Sequence, residues 1–393
     1  MTVLFWIAFA LIVYTFVGYG LVLFVMICIR RAIRGRRSLP ATDGLPSCSL
    51  VIAAYNEEAF IREKISNTLE LEYEPGKLEI VFISDGSDDR TPDIISEYPR
   101  IRLLHENERQ GKVAAMHRAV ATVSSDIVIF TDANTILNNK ALVNIARHYA
   151  DSQIGAVAGE KRIKTDALAD AGTAGEGFYW KYESALKRWD SELHTVVGAA
   201  GELFSVRREL YEPVPQDTIL DDFMISMLIA AKNYRIVYEP ESYAMEEASE
   251  NIKEELKRKV RIAAGGIQSI LRLLPLFNIF RYGLLSFQYI SHRVLRWTIA
   301  PFLLIGILIL NALLVLDGAP ELYSLLLVAQ LLFYALAMGG FLLAARQIRI
   351  KIFFIPYYFC VMNYAVLRGI IRYFSGGQSA VWEKAARKTS PNL

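Results

Sequence analysis

The sequence predicts an α/β domain with a Rossmann-like, mostly parallel sheet, joined to α-helical transmembrane and interfacial helices. Three observations carry that prediction. Short apolar runs alternate with amphipathic stretches from Ser49 to about Pro240, the order that builds a parallel sheet. Long apolar stretches fill residues 3–29 and much of 268–373, on the scale that crosses a bilayer. One apolar run, Ile127-Val128-Ile129-Phe130-Thr131, ends in Asp132-Ala133-Asn134. Ligands of open α/β sheets sit just beyond the carboxyl ends of such strands.

The first segment, 1–31, is a transmembrane helix. Residues 3–29 carry no charge, and Arg30, Arg31, Arg34, Arg36 and Arg37 follow. The positive-inside rule then places the N-terminus outside and the rest in the cytoplasm. No positive n-region precedes the apolar stretch, so a cleaved signal peptide fits poorly. A mostly polar linker from Pro40 to Pro46 leads to the domain at 45–250. Strands are expected at 49–54, 78–83, 101–104 and 127–130, with helices at 57–71, 91–98 and 112–122 between them. Pro92 suits a first helical position. A further helix runs from Leu220-Asp221-Asp222-Phe223 to about Ala231. Neither a G-x-G-x-x-G nor a Walker A sequence is present, which disfavours a dinucleotide oxidoreductase.

Beyond the domain, 250–261 reads as a charged helix and 267–291 as an amphipathic one. Such helices lie in the interface plane, so 251–292 is assigned there. Residues 293–346 form a transmembrane hairpin, with spans at 297–316 and 322–345 around the turn Asp317-Gly318-Ala319-Pro320-Glu321. Residues 347–393 follow. Arg346, Arg349 and Lys351 precede their apolar part, and Arg368, Arg372, Lys384, Arg387 and Lys388 lie at or after its end. Positive charge on both sides favours a re-entrant or interfacial element over a fourth span. Asn363 weakens a lipid-exposed reading.

The chain is 53% hydrophobic and 21% charged, an apolar excess that agrees with membrane segments. A net charge of +2 implies no general polyanion-binding surface, so nucleic acid is not an expected partner. Cys28, Cys48 and Cys360 are too scattered for a zinc site or a disulfide framework and read as small packing residues.

Several groups carry candidate chemistry. Asp132 and Asn134 offer hard oxygen ligands, which suit Mg2+ or Mn2+ carrying a diphosphate. Asp85, in Ser84-Asp85-Gly86-Ser87, can reach a ribose or base edge, or simply close an Asp-Gly turn. Lys112 opens a helix after Gly111 and either approaches a diphosphate there or is solvated. Of Asp221 and Asp222, one can cap the helix while the other faces a cleft and takes a proton from a hydroxyl. The helix dipole alone also favours two acids there. Arg258 and Arg261 can clamp a leaving diphosphate or contact anionic lipid. The aromatic stretch Phe178, Tyr179, Trp180, Tyr182 and Trp189 reads more readily as core than as a sugar platform.

Taken together, these pieces resemble the membrane-embedded family 2 glycosyltransferases of GT-A fold, related to hyaluronan, cellulose and poly-N-acetylglucosamine synthases. The resemblance covers about residues 45 to 390. It rests on Val51-Ile52-Ala53-Ala54-Tyr55-Asn56-Glu57-Glu58, Ser84-Asp85-Gly86-Ser87, Gly111-Lys112, Asp132-Ala133-Asn134, Gly201-Glu202-Leu203-Phe204-Ser205-Val206-Arg207-Arg208 and Asp221-Asp222. It implies that Ala53, Tyr55 and Glu57 line the uridine pocket, that Asp85 contacts the uracil or ribose, and that Lys112 lies near the nucleotide. Asp132 and Asn134 match the motif that holds the metal and the donor diphosphate. Asp222 matches the catalytic base, and Asp221 stands where the family usually has glutamate. Gly201, Glu202, Leu203 and Phe204 match the segment beside the acceptor.

The implied reaction is inverting transfer from a nucleotide sugar, a UDP-sugar, with Mg2+ or Mn2+. The acceptor is a growing polysaccharide or, as the alternative, a lipid or lipid-linked hydroxyl. The implied setting is a bacterial inner membrane with a cytoplasmic catalytic domain. Two departures stand out. Asn134 replaces the second metal aspartate. The family's Q-x-x-R-W appears as Arg258-Lys259-Val260-Arg261-Ile262, which keeps the arginine but loses the tryptophan and counts against processive polymerisation. Three spans are thin for a polymer channel unless the chain forms homo-oligomers. A non-catalytic membrane scaffold or polysaccharide-binding subunit is the competing class.

Overall fold

The apolar run Cys48–Ala54 forms β1, a buried strand inside the sheet. The computed structural model describes residues 1–35, 44–164, 173–247, 252–346, 348 and 350–376. Arg36, Arg37, most of the linker, Glu250, Arg349, Lys384, Arg387 and Lys388 lie outside these residues. So do the side chains of Phe178, Tyr179 and Trp180.

The other strands are β2 (Leu78–Asp85), β3 (Arg102–Glu106), β4 (Ile127–Asp132), β5 (Ile136–Leu137), β6 (Ile154–Lys164), β7 (Leu203–Arg207) and β8 (Arg235–Glu247). They form one sheet in the order β3-β2-β1-β4-β7-β6-β8-β5. The β3, β2, β1 and β4 strands are parallel, as the alternating pattern predicts. Strand β7 runs antiparallel to β4 and β6, while β6 and β8 are parallel. Ala53 is in register with both Ile83 and Asp132, so the carboxyl ends of β1, β2 and β4 meet at one edge. Two hydrophobic cores cover the two faces of the sheet, one built on Val51, Phe130 and Phe204, the other on Leu50, Ile52 and Ile129. That explains why β1 and β4 are apolar throughout rather than alternating.

The interfacial region differs from expectation. A single helix, Ile252–Arg272, runs through the Ala263-Ala264-Gly265-Gly266 stretch that lies between the two helices read at 250–261 and 267–291. The glycines are close-approach sites. A Cβ on Gly265 would lie 2.7 Å from Leu220 and 2.8 Å from Ile219, and one on Gly266 would lie 2.5 Å from Trp297. Helix propensity is sacrificed for contact. Gln268 latches the same helix to the loop before Asp221, accepting from Ile219 N at 3.0 Å and donating to Asp217 O at 2.9 Å. A Gly265→Val change should therefore overpack this contact and cost about 1–3 kcal/mol. Thermal unfolding in detergent measures that loss. From the last turn of this helix onward, Leu271, Leu274, Phe277, Ile279, Phe280 and Leu284 form an exposed apolar tip, with Phe280 99% accessible.

Among the described residues, four helices are long and apolar enough to cross a membrane: Thr2–Arg34, Ile299–Leu316, Glu321–Ala344 and Lys351–Phe374. The last is a single 24-residue helix with Pro356 inside it, so the described residues contain no re-entrant turn there. It packs along the Ile252–Arg272 helix, where a Cβ on Gly369 would lie 2.5 Å from the Ala263 methyl. Phe16 and Phe359 meet edge to face at 4.9 Å.

The first helix is tied firmly to the Thr173–Leu193 helix. Arg31 forms a two-pronged pair with Glu192. Deeper, the wholly buried Asp190 accepts from the Tyr19 hydroxyl and from Gln288 Nε2 (3.0 Å), and its other oxygen meets His292 Nδ1 at 2.6 Å. His292 also faces Glu183 at 3.2 Å, and Arg293 and Arg296 each donate to Glu183 at 2.9 Å. Burial alone would raise the Glu183 carboxyl; His292, Arg293 and Arg296 outweigh it and hold the group well below the usual range. Helix Thr2–Arg34 has a π-helical turn at Tyr14–Gly18, and Ile290–Val294 forms another. The two turns touch, with Tyr14 Oη 2.8 Å from Ser291 Oγ. Single π-helical turns within α-helices are rare and frequently occur at functional sites.

Candidate active site

A cavity of about 750 Å³ opens beyond the carboxyl ends of the strands, within the usual size for a bound organic ligand. Asp132 reaches it from β4, Lys112 from the first turn of the Lys112–Thr122 helix, and Asp221 and Asp222 from the start of the Asp221–Ala231 helix. Gly201 and Glu202 line it from the loop before β7. Arg258 and Arg261 line it from the Ile252–Arg272 helix.

Lys112 stands at the centre. Its Nζ is 2.6 Å from Asp132 Oδ1 and 3.9 Å from Asp221 Oδ2. A Cβ on Gly201 would lie 3.4 Å from Asp222 Oδ2 and 3.6 Å from Lys112 Nζ. The β4 aspartate and the Asp221-Asp222 pair thus face one space, although some 90 residues separate them in sequence. Burial alone would lower the Lys112 ammonium, but Asp132 and Asp221 reverse this and raise it well above its ordinary value. The Asp222 carboxyl is pushed up to about 7 by burial and by Asp221, with Lys112 opposing.

The two arginines have different surroundings. Arg258 donates to Glu202 at 2.9 Å and approaches Glu246 at 3.5 Å, and Lys161 pairs with the same two glutamates. Lys161 and Arg258 keep Glu202 ionised well below the usual carboxylate range, although burial opposes this. Arg261 has no hydrogen-bond or ion-pair partner among the described residues. Burial lowers its guanidinium, while Asp221, Asp132 and Asp222 act on it the other way.

The remaining expected residues lie outside the cavity wall. Asp85 ends β2, where Oδ2 accepts from Gln110 N (3.1 Å) and Gly111 N (2.6 Å), and Oδ1 accepts from Arg118 (2.6 Å). Its carboxylate therefore fixes the turn that delivers Lys112. Tyr55 follows β1 and carries the Arg109 guanidinium 3.7 Å above its ring. Glu57 is buried at the start of the Glu58–Leu69 helix, its backbone N–H bonded to the Thr91 hydroxyl at 2.8 Å. Leu203 and Phe204 are buried in the sheet, with Phe204 stacked on Phe130 at 4.9 Å. The aromatic stretch is divided. Trp189 packs on Phe24, whereas Tyr182 lines the cavity and donates to Phe16 O at 2.9 Å.

Sequence reasoning missed Lys64. Its wholly buried ammonium donates to Thr135 O at 2.7 Å and to the Thr131 hydroxyl at 3.3 Å, pinning the Asp132–Asn134 turn from below. Burial pushes it down to about 7. The available signal was its place among Ile61, Ile65 and Thr68, the apolar stripe of its helix.

For a divalent ion, the donor set is thin but of the right kind. No group of three or more His, Cys, Asp or Glu able to hold a metal occurs among the described residues. Asn134 Oδ1 is buried with no hydrogen-bond partner, and Asp132 supplies a carboxylate beside it in sequence. Mg2+ and Mn2+ are commonly held by one or two such oxygens, the rest coming from phosphate and water. The residues present fit an ion that arrives with a diphosphate.

Comparison with known proteins agrees with this geometry. The family model described as Glycosyl transferase family 2 matches residues 49–214. Poly-beta-1,6-N-acetyl-D-glucosamine synthase of Staphylococcus aureus (strain COL) is 30% identical over 239 residues, 58% of this chain and 57% of that protein. The synthase of the same name from Staphylococcus epidermidis is 28% identical over 233 residues, 57% of this chain and 55% of the other. The chain thus spans little more than half the length of the curated relatives it matches. Among solved structures, the mannosyltransferase PcManGT from Pyrobaculum calidifontis, in complex with GDP-Man and Mn2+, superposes with a TM-score of 0.70 at 22% identity, covering 95% of this chain and 100% of that one. Residues 49–214 are therefore similar to a Glycosyl transferase family 2 domain, and the likeness to the solved structure shows a shared fold of GT-A type.

Proposed function

We propose that the protein is an inverting membrane glycosyltransferase that moves a sugar from a nucleotide sugar, a UDP-sugar, to a hydroxyl of a growing polysaccharide. The observation that carries this reading is the shared ammonium: Lys112 lies within 3.9 Å of both Asp132 and Asp221, so donor-binding and proton-accepting groups face one cavity. Asp222 takes the proton of the acceptor hydroxyl. Its carboxyl, pushed up to about 7, makes it an effective base, about half of it ionised at neutral pH. The acceptor oxygen forms its bond to the anomeric carbon from the face opposite the diphosphate. The bond from that carbon to the diphosphate oxygen breaks, and the electron pair leaves with the nucleotide. Arg261 and Lys112 oppose the negative charge that develops there. Asp132 and Asn134 would hold Mg2+ or Mn2+, which when bound supplies further neutralisation of the departing diphosphate. Ala53, Tyr55, Glu57 and Asp85 border the base and ribose at the adjoining sheet edge. Gly201 and Glu202 face the acceptor, with Leu203, Phe204 and Arg258 holding that segment in place.

The relatives' name supports a polysaccharide acceptor. One observation favours a second reading, a lipid-linked hydroxyl. Phe16, Tyr358, Phe359 and Met362, all on helices apolar enough to cross a membrane, line the same cavity. The exposed tip around Phe280 and the Arg30-Arg31 end of the first span support a bilayer-bound protein with its catalytic half on the cytoplasmic side. Incubating the purified protein with radiolabelled UDP- and GDP-sugars and sizing the products tests this. UDP release with products that lengthen over time is expected. Stable donors throughout would return the protein to the scaffold class.

A further inference from the structure

Two sets of charges meet in the cavity wall. Glu202 and Glu246 pair with Lys161 and Arg258. Beside them, Asp132, Asp221 and Asp222 act on Lys112 and Arg261. Lys112 is already committed, at 2.6 Å from Asp132 Oδ1. A divalent ion sits about 2.0–2.1 Å from a carboxylate oxygen, so an ammonium at that distance and a metal on the same carboxylate would repel each other at close range.

Two further features make the lysine movable at its tip and fixed at its root. Asp85 clamps the Gln110 and Gly111 N–H groups, and Gly111 has φ 93°, so the backbone that delivers Lys112 is held. The four-carbon stem is flexible, and its ammonium already stands between two carboxylates, 2.6 Å from one and 3.9 Å from the other. Like Asp221 Oδ2, Asn134 Oδ1 is buried without a hydrogen-bond partner. An amide in that place, rather than a second carboxylate, lowers the charge available to draw an ion in unaided.

We propose that Lys112 is a tethered counter-cation that occupies Asp132 while no donor is bound and releases it to a divalent ion only when a nucleoside diphosphate arrives to accept the ammonium. Ion and nucleotide then bind as a unit. The site discriminates against free metal and keeps Asp132 ion-paired between turnovers. This inference rests on the donor-site reading above.

The test is a titration of the full-length protein in detergent with Mn2+, following free Mn2+ by electron paramagnetic resonance, with and without UDP. The native protein should bind Mn2+ weakly alone and more tightly with UDP. Lys112→Met should bind Mn2+ without nucleotide about tenfold more tightly than native, and the gain from UDP should shrink, since a coupling free energy is reciprocal. Lys112→Arg, which keeps the charge, should remain as weak as native. If Lys112→Met does not fold, Lys112→Gln reads the same effect. Unchanged or weaker nucleotide-free binding in the neutral variants, beside normal Mn2+ binding by the native protein with UDP, overturns the counter-cation and leaves the donor site standing. Equal tightening in Lys112→Arg also overturns it. Absence of Mn2+ binding by native protein with UDP removes the metal-dependent donor site as well.

Discussion

Replacing Asp222 by asparagine will abolish sugar transfer while nucleotide-sugar binding persists. The amide keeps the shape of the carboxylate but accepts no proton, and loss of a positioned base costs about 10²- to 10⁴-fold in rate. Donor binding is read by calorimetry and transfer by product formation; normal turnover in Asp222→Asn would remove this residue from the mechanism. The pH dependence follows from the same environment. Burial and Asp221 raise the Asp222 carboxyl from 3.8 to about 7, so the rate should rise with pH to a plateau above about 7 in the native protein. The sign for stability is opposite. Because the folded chain holds this proton more tightly than the unfolded one, the contribution to stability is complete below pH 3.8 and is lost as pH rises through about 7. Asp222→Asn should therefore be the more stable protein at pH 8, which separates a catalytic defect from a folding defect.

Asp132→Ala, and chelation by EDTA in the native protein, should each reduce transfer by about 10²- to 10³-fold, the usual cost of removing a principal charge stabiliser from a leaving group. The two treatments should not add. Mn2+ restored after EDTA should recover the native protein and leave Asp132→Ala inactive. Transfer at full rate in EDTA would reject the role given to Asp132 and Asn134.

The parts legible in sequence were those built from short-range pattern. Strand β4 and its terminal Asp132 were readable because a strand buried on both faces is apolar throughout, so a carboxylate at its end stands out. The Asp221-Asp222 start of a helix was readable for the same reason. The Ile252–Arg272 helix was not read as one element, because the physical cause of its two central glycines is a contact with Leu220, Ile219 and Trp297 that no local window contains. The difference between Arg258 and Arg261 was equally invisible. Three positions apart on one helix, they meet Glu202 in one case and the open cavity in the other. Lys64 was not singled out, although its spacing places it with Ile61 and Ile65. The Asp190–His292 contact spans a hundred residues and has no sequence signature at all.

That last contact limits how the protein can be simplified. Tyr19 supplies a hydroxyl to an acid that water never reaches, and a hydrogen bond to a charged group is worth about 1.5–3 kcal/mol. Trimming away the leading apolar helix would not yield an intact sheet domain. It would unseat the keystone between the two, so helix and sheet fold as one unit.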